Sequence, residues 1–350
     1  MTLRHWVMLL STIMAAGCGI ARWRAPAAAP PALAVRSITL PGATSGGVSM
    51  DYLAYDRARH RVWVPAGNTG SVDVVDASND RVARVEGFPT AEMERSGTKR
   101  TVGPSSAAVG DSVVYIGNRG DSSVCAVEAE SLRRGPCVKL ESLPDGLAYV
   151  ASTKEVWVTT PRDKSIAVLD AGATGALAWK AKISLDGAPE GFAVDDGRGV
   201  FYTNLEDKDR TLTIDITSRQ VTRTWLSGCG EDGPRGLALD HDFDFLFVAC
   251  RDRVMVLDAG HDGKRLCTIT VGDGVDNIDY LEPGRELYAA AARAATLTIA
   301  RLDPQGGLTP LTVVATVSGA RNAVVTEEGT AYLTDSPEGK ILVVAPVAPH

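Results

Sequence analysis

Histidine is the scarcest chemistry in this chain. There are five in 350 residues. His5 lies near the start, His350 is the last residue, and His60, His241 and His261 fall among Asp- and Arg-rich turns. A general base or a Ser-His-Asp triad needs an imidazole at the reacting centre. Neither a Cys-x-x-Cys-His haem motif nor a Gly-rich phosphate loop is present. Positive charge is in deficit: 36 Lys and Arg against 43 Asp and Glu leave a net charge of −7. A nucleic-acid face needs a concentrated basic stripe. The only basic cluster is Arg95, Lys99 and Arg100, so nucleic acid is not expected as a partner. Long apolar runs are missing too. Trp6 to Ala16 is short of the about twenty residues that cross a bilayer, and no later stretch is long enough. What remains is globular in composition, 45% hydrophobic and 23% charged.

The short apolar run follows Arg4 and His5 and ends at Ala15-Ala16-Gly17-Cys18. That is the layout of a secretory leader. Small residues directly before a Cys resemble a bacterial lipoprotein signal, with Ala15 standing where Leu is usual. The expectation is a signal peptide over 1–17 and lipidation at Cys18. An Ala/Pro-rich tether over 18–33 follows, then a single domain over 34–350. Gly19 rather than Asp after the Cys points to the outer membrane, on its periplasmic side or at the cell surface. The membrane would be met through the lipid alone.

The domain is one unit repeated. Seven segments open with a turn and a short apolar strand: MDYLAYD from Met50, PSSAAVG from Pro104, PDGLAYV from Pro144, PEGFAVD from Pro189, PRGLALD from Pro234, VDNIDYL from Val275 and ARNAVVT from Ala320. A second strand follows each (VWV from Val62, VVYI from Val113, FLFVA from Phe245). A third alternates with period two (SVDVVD, SIAVLD, RVMVLD), and most repeats show a fourth. Four strands in about 45 residues, seven times, predict an all-β seven-bladed β-propeller of four-stranded antiparallel blades. The seventh repeat lacks its fourth strand. Ala34 to Leu40 precedes the first and is expected to complete the last blade, closing the ring so that no sheet edge stays open.

PRGLALD, then FLFVAC, then VMVLD resemble the YncE-like, or YVTN surface-layer-type, propeller repeats. The resemblance covers 34–346. It implies the fold and leaves function open, because propellers host enzymes, sensors and scaffolds alike.

In such a ring the first strands line a central channel. The second residue of each first-strand motif should ring one mouth, here called the top: Asp51, Ser105, Asp145, Glu190, Arg235, Asp276 and Arg321, joined by Asn277, Asn322, Asn118, Asn204 and Asp335. Converging carboxylates suit Ca²⁺, which takes six to eight oxygens; Asp145, Glu190 and Asp276 are the candidate ligands. The two Arg suit an anion. Phe88 to Gly103 exceeds the repeat length and is expected as a long loop beside that mouth. His60, His241 and His261 fall in turns of the opposite face, so no imidazole reaches the mouth.

If Cys18 carries lipid, five cysteines remain. Aligning the second and fifth repeats puts Cys125 and Cys137 on the two arms of one outer hairpin, and Cys229 and Cys250 side by side on the top face. Bridges Cys125–Cys137 and Cys229–Cys250 are expected, with Cys267 left free. The functional expectation is an exported, monomeric binding module for a small polar ligand or an envelope protein, with no catalytic constellation. The alternative is a metal-dependent lactonase of gluconolactonase type using the mouth carboxylates, with Glu190 resembling that family's ligand Glu.

Overall fold

The computed structural model describes residues 33–95, 97–172 and 175–346. Seven four-stranded antiparallel sheets form a ring of blades numbered I to VII. The first strands are Ala54–Asp56, Pro104–Val109, Leu147–Val150, Pro189–Asp195, Leu237–Asp240, Val275–Leu281 and Ala320–Val325. Blade VII is completed from the other end of the chain. Leu33–Thr39 pairs antiparallel with Lys340–Pro346, Leu33 opposite Pro346 and Thr39 opposite Lys340. The ring closure expected from the orphan strand is therefore present.

The core lies between blades rather than on the axis. Among the described residues seven apolar clusters occur, one per interface. The second strands are buried on both faces, which is why VWV and FLFVA read as continuous apolar runs. Trp63, Trp157, Phe201 and Phe247 are fully buried there. Aromatic side chains of this size each bury about 150–250 Å².

Blade I departs from the repeat. Its first strand is only Ala54–Asp56, and Met50 to Leu53 lean onto blade II. Tyr52 N–H donates to the Ser105 carbonyl at 3.0 Å, and Ala107 N–H donates to the Tyr52 carbonyl at 3.2 Å. The expected long loop over 88–103 is instead a hairpin, Ala91–Arg95 paired with Thr98–Val102. Gly97 turns it at φ 77, a conformation that favours glycine.

Two disulfides are present. Cys125–Cys137 ties register partners on the third and fourth strands of blade II. Cys229–Cys250 ties the entry loop of blade V to the end of its second strand. Both point to an oxidising environment. The expectation of a free Cys267 is corrected: no described cysteine is free, Cys267 included. It had been left over by elimination within the blade plan, which says nothing of bonds outside that plan. No helix among the described residues is long and apolar enough to cross a membrane. The lipidation expected at Cys18 lies outside the described residues.

Candidate functional site at the channel mouth

The third position of the first-strand motif decides what can sit at the mouth. It is Gly146, Gly191 and Gly236 in three consecutive blades. A Cβ on Gly191 would lie 2.3 Å from the Arg235 carbonyl oxygen, and one on Gly236 would lie 2.2 Å from Asn277 Oδ1. Neighbouring blades come too close there for any side chain. In blade I the same position is Tyr52, which reaches across the channel. Its hydroxyl donates to Glu190 Oε1 at 3.0 Å.

Four of the expected carboxylates share this mouth, and two guanidiniums hold them. Arg119 Nη2 donates to Asp51 Oδ2 at 3.0 Å and also to Asp145, while its Nε donates to the Pro144 carbonyl. Arg321 pairs with Asp276 and lies 3.8 Å from Asp51. Asn322 Nδ2 donates to Asp51 Oδ1 at 3.1 Å. Arg235 turns away to Glu206, at 3.2 Å.

The remaining expected residues are structural. Ser105 is buried, and its hydroxyl lies 3.5 Å from the Gly117 carbonyl oxygen. Asn118 is buried and donates to the Pro89 carbonyl and to Asp121. Asn204 is buried, donates to the Arg235 carbonyl at 2.6 Å and accepts from Thr211. Asn277 N–H donates to Asn322 Oδ1. These amides satisfy backbone and side-chain groups at blade boundaries, as buried polar groups must be satisfied.

Burial and neighbouring charge shift three of the acids. Burial pushes Asp145 up to about 6, with Arg119 pulling the other way and Asp51 and Asp276 adding to the rise. Glu190 is pushed well above the carboxylate range by burial, then by Asp145, Asp276, Glu206 and Asp51. Asp276 is raised by burial against the pull of Arg321. Burial and the facing Glu190 also push the Tyr52 hydroxyl up. For Arg119 and Arg321 burial opposes the charge, and the facing acids outweigh it, so both are raised.

Asp145, Glu190 and Asp276 do not gather as a calcium cage. Among the described residues the only three His, Cys, Asp or Glu side chains with ligand atoms within 4.8 Å of one another are His60, Glu327 and Glu328, all exposed on the opposite face. There Tyr55 hydroxyl bonds both His60 and Glu327, and Arg57 lies 3.6 Å from Glu327. His241 lies 2.5 Å from Glu282, and His261 bonds Asp258.

The sequence pointed to the acids but missed Arg119 and Tyr52. Arg119 stands one residue beyond the second strand, outside the motif. Tyr52 was signalled by its size at a position held by Gly, Ser or Asn elsewhere.

No protein-family model matches the chain, and no curated protein matches it. Solved structures share the fold. A chain of the mitotic checkpoint complex aligns with TM-score 0.70 at 14% identity, covering 94% of this chain and 98% of that one. Hydrazine synthase of Kuenenia stuttgartiensis aligns with TM-score 0.70 at 15% identity, covering 88% and 98%. Virginiamycin B lyase from Staphylococcus aureus aligns with TM-score 0.68 at 11% identity, covering 90% and 100%. At such identities the likeness defines a seven-bladed β-propeller and nothing narrower.

Proposed function

We propose that this chain is an exported, lipid-anchored, YncE-like propeller that works as a binding module at the cell envelope. Its channel mouth is the site for a small polar ligand. The observation that carries this is the convergence of Asp51, Asp145, Glu190 and Asp276 with Arg119 and Arg321 at one mouth, from six blades and residues far apart in sequence. Binding is favoured over hydrolysis for two reasons. The mouth acids are committed to guanidiniums or Tyr52 rather than spaced around a metal. The described imidazoles sit in turns of the other face. The likeness to a propeller chain of a multiprotein complex supports a partner-docking role on the same scaffold.

A thermal-shift screen of the mature protein against sugars, lactones, amines and peptidoglycan fragments tests the reading. A ligand at a hundred times its Kd adds about 2.7 kcal/mol. That shift should vanish in Asp51→Asn and Arg321→Ala. Shifts indifferent to both changes would place the site elsewhere. Palmitate labelling, lost in Cys18→Ser, tests the anchor.

A further inference from the structure

We propose that the channel mouth binds a small organic cation bearing a primary ammonium, with Asp145 and Glu190 as its counter-charges. This rests on the mouth being the ligand site, and it names the class of ligand.

Charge does not balance at the mouth. Four carboxylates face two guanidiniums. Asp51 is served by both Arg119 and Arg321, and by Asn322. Asp276 has Arg321. Asp145 has Arg119 on Oδ1, while its Oδ2 is buried with no hydrogen-bond partner. Glu190 has only the neutral Tyr52 hydroxyl. Arg235, the next cation along, is held by Glu206. The mouth is therefore short of positive charge, and the shortfall falls on Asp145 and Glu190, which belong to adjacent blades III and IV.

Isolated carboxylates in such a place are costly. Without a ligand the protein's recourse is protons, and both groups are shifted in that direction. A ligand that brings its own charge displaces the proton.

The unfilled acceptors select the cation. Among the described residues no three of the mouth acids bring ligand atoms within 4.8 Å of one another, so a metal ion would find at most two carboxylate ligands here. An ammonium donates over about 2.7–2.9 Å and so spans a wider set of oxygens. A guanidinium needs a bidentate partner, and Asp145 has one oxygen open. A compact point charge with three rotatable donors fits that geometry. Tyr52 and Phe192 stack beside Glu190 at 6.0 Å between ring centroids, giving adjoining methylenes an apolar neighbour.

The test is calorimetric titration of ethanolamine into the mature chain from pH 5.5 to 8, in buffers of different ionisation enthalpy. Binding should release protons at the acid end and tighten as pH rises, by up to tenfold per pH unit for each proton released. Ethylene glycol, the neutral counterpart, should not bind. Glu190→Gln and Asp145→Asn should each weaken ethanolamine at least tenfold, and Glu190→Gln should also abolish its share of the proton release. Glu190→Gln removes a charge with no cationic partner, and Asp145→Asn keeps an oxygen for Arg119; both are expected to fold, as circular dichroism will check.

The inference is overturned by absence of ethanolamine binding at millimolar concentration, by affinity independent of pH, or by equal affinity in the variants. Ca²⁺ binding lost in Glu190→Gln would overturn it in favour of a metal. A neutral or anionic ligand from the screen that loses binding in Asp51→Asn would leave the mouth as the site and remove only the ammonium. Ligands indifferent to every mouth variant would remove both.

Discussion

The two ends of the channel use the same residue types in opposite ways. On the face away from the mouth, acids end first strands and cap the turns that follow. Asp56, Asp195 and Asp240 are buried and accept the backbone N–H three residues on, from Arg59, Arg198 and Phe243. Arg59 and Arg198 then pair with those same acids, at 3.1 and 2.8 Å. Each such acid has its partner within its own turn. At the mouth the partners lie 26 to 271 residues away, and the acids outnumber the cations. A carboxylate satisfied by its own turn is architecture. One that must borrow charge from another blade depends on how the blades are assembled.

Breaking the mouth's main cation should have the largest effect. Arg119→Ala leaves Asp51 and Asp145 to share what Arg321 can supply, and removing one partner of a buried pair costs about 3–5 kcal/mol. Arg119 is 26% exposed, so the lower end is expected. Urea unfolding at pH 7 reads the loss, which should shrink at pH 4 as the acids take up protons.

The opposite face should respond less. Asp195→Ala removes the Arg198 backbone and guanidinium bonds, while Arg198 keeps Asp244 at 2.7 Å. A loss of about 1–2 kcal/mol is expected from such bonds, again by urea unfolding.

The smallest effect is the sharpest contrast, because its sign reverses. Glu190 is raised above its unfolded value. Its contribution to stability is therefore full at low pH and lost as pH rises through its folded range. Glu190→Gln keeps an acceptor for Tyr52 and removes that loss. The melting midpoint should match the parent at pH 5 and exceed it by a few degrees at pH 8, about 2–4 °C per kcal/mol. A lower midpoint at pH 8 would show the charge to be compensated.

The fold was legible because it repeats: seven similar segments reveal blades that no single segment would. Ring closure was legible from a strand in surplus at one end and a strand missing at the other. The acids of the mouth were legible as a position in the repeat. Their partners were not, because Arg119 and Tyr52 break the repeat, and a pattern hides its exceptions. Asn118 and Asn204, which bond the scaffold, were hard to place for the complementary reason. Strand-end amides bond backbone as readily as ligand, and only burial tells which. The hairpin over Ala91–Val102 was hidden by charge: AEMER and TKRTV alternate, but on a ribbon too exposed to show an apolar face.

The shared seventh blade also fixes the face of the propeller on which the described chain begins. Leu33 opposes Pro346 where the third strand ends, at the face of the turn acids, while Thr39 opposes Lys340 at the face of the mouth. Whatever precedes Leu33 is joined on the side away from the channel opening. A segment joined at Leu33 therefore leaves the disc beside its turns and keeps clear of the charged opening.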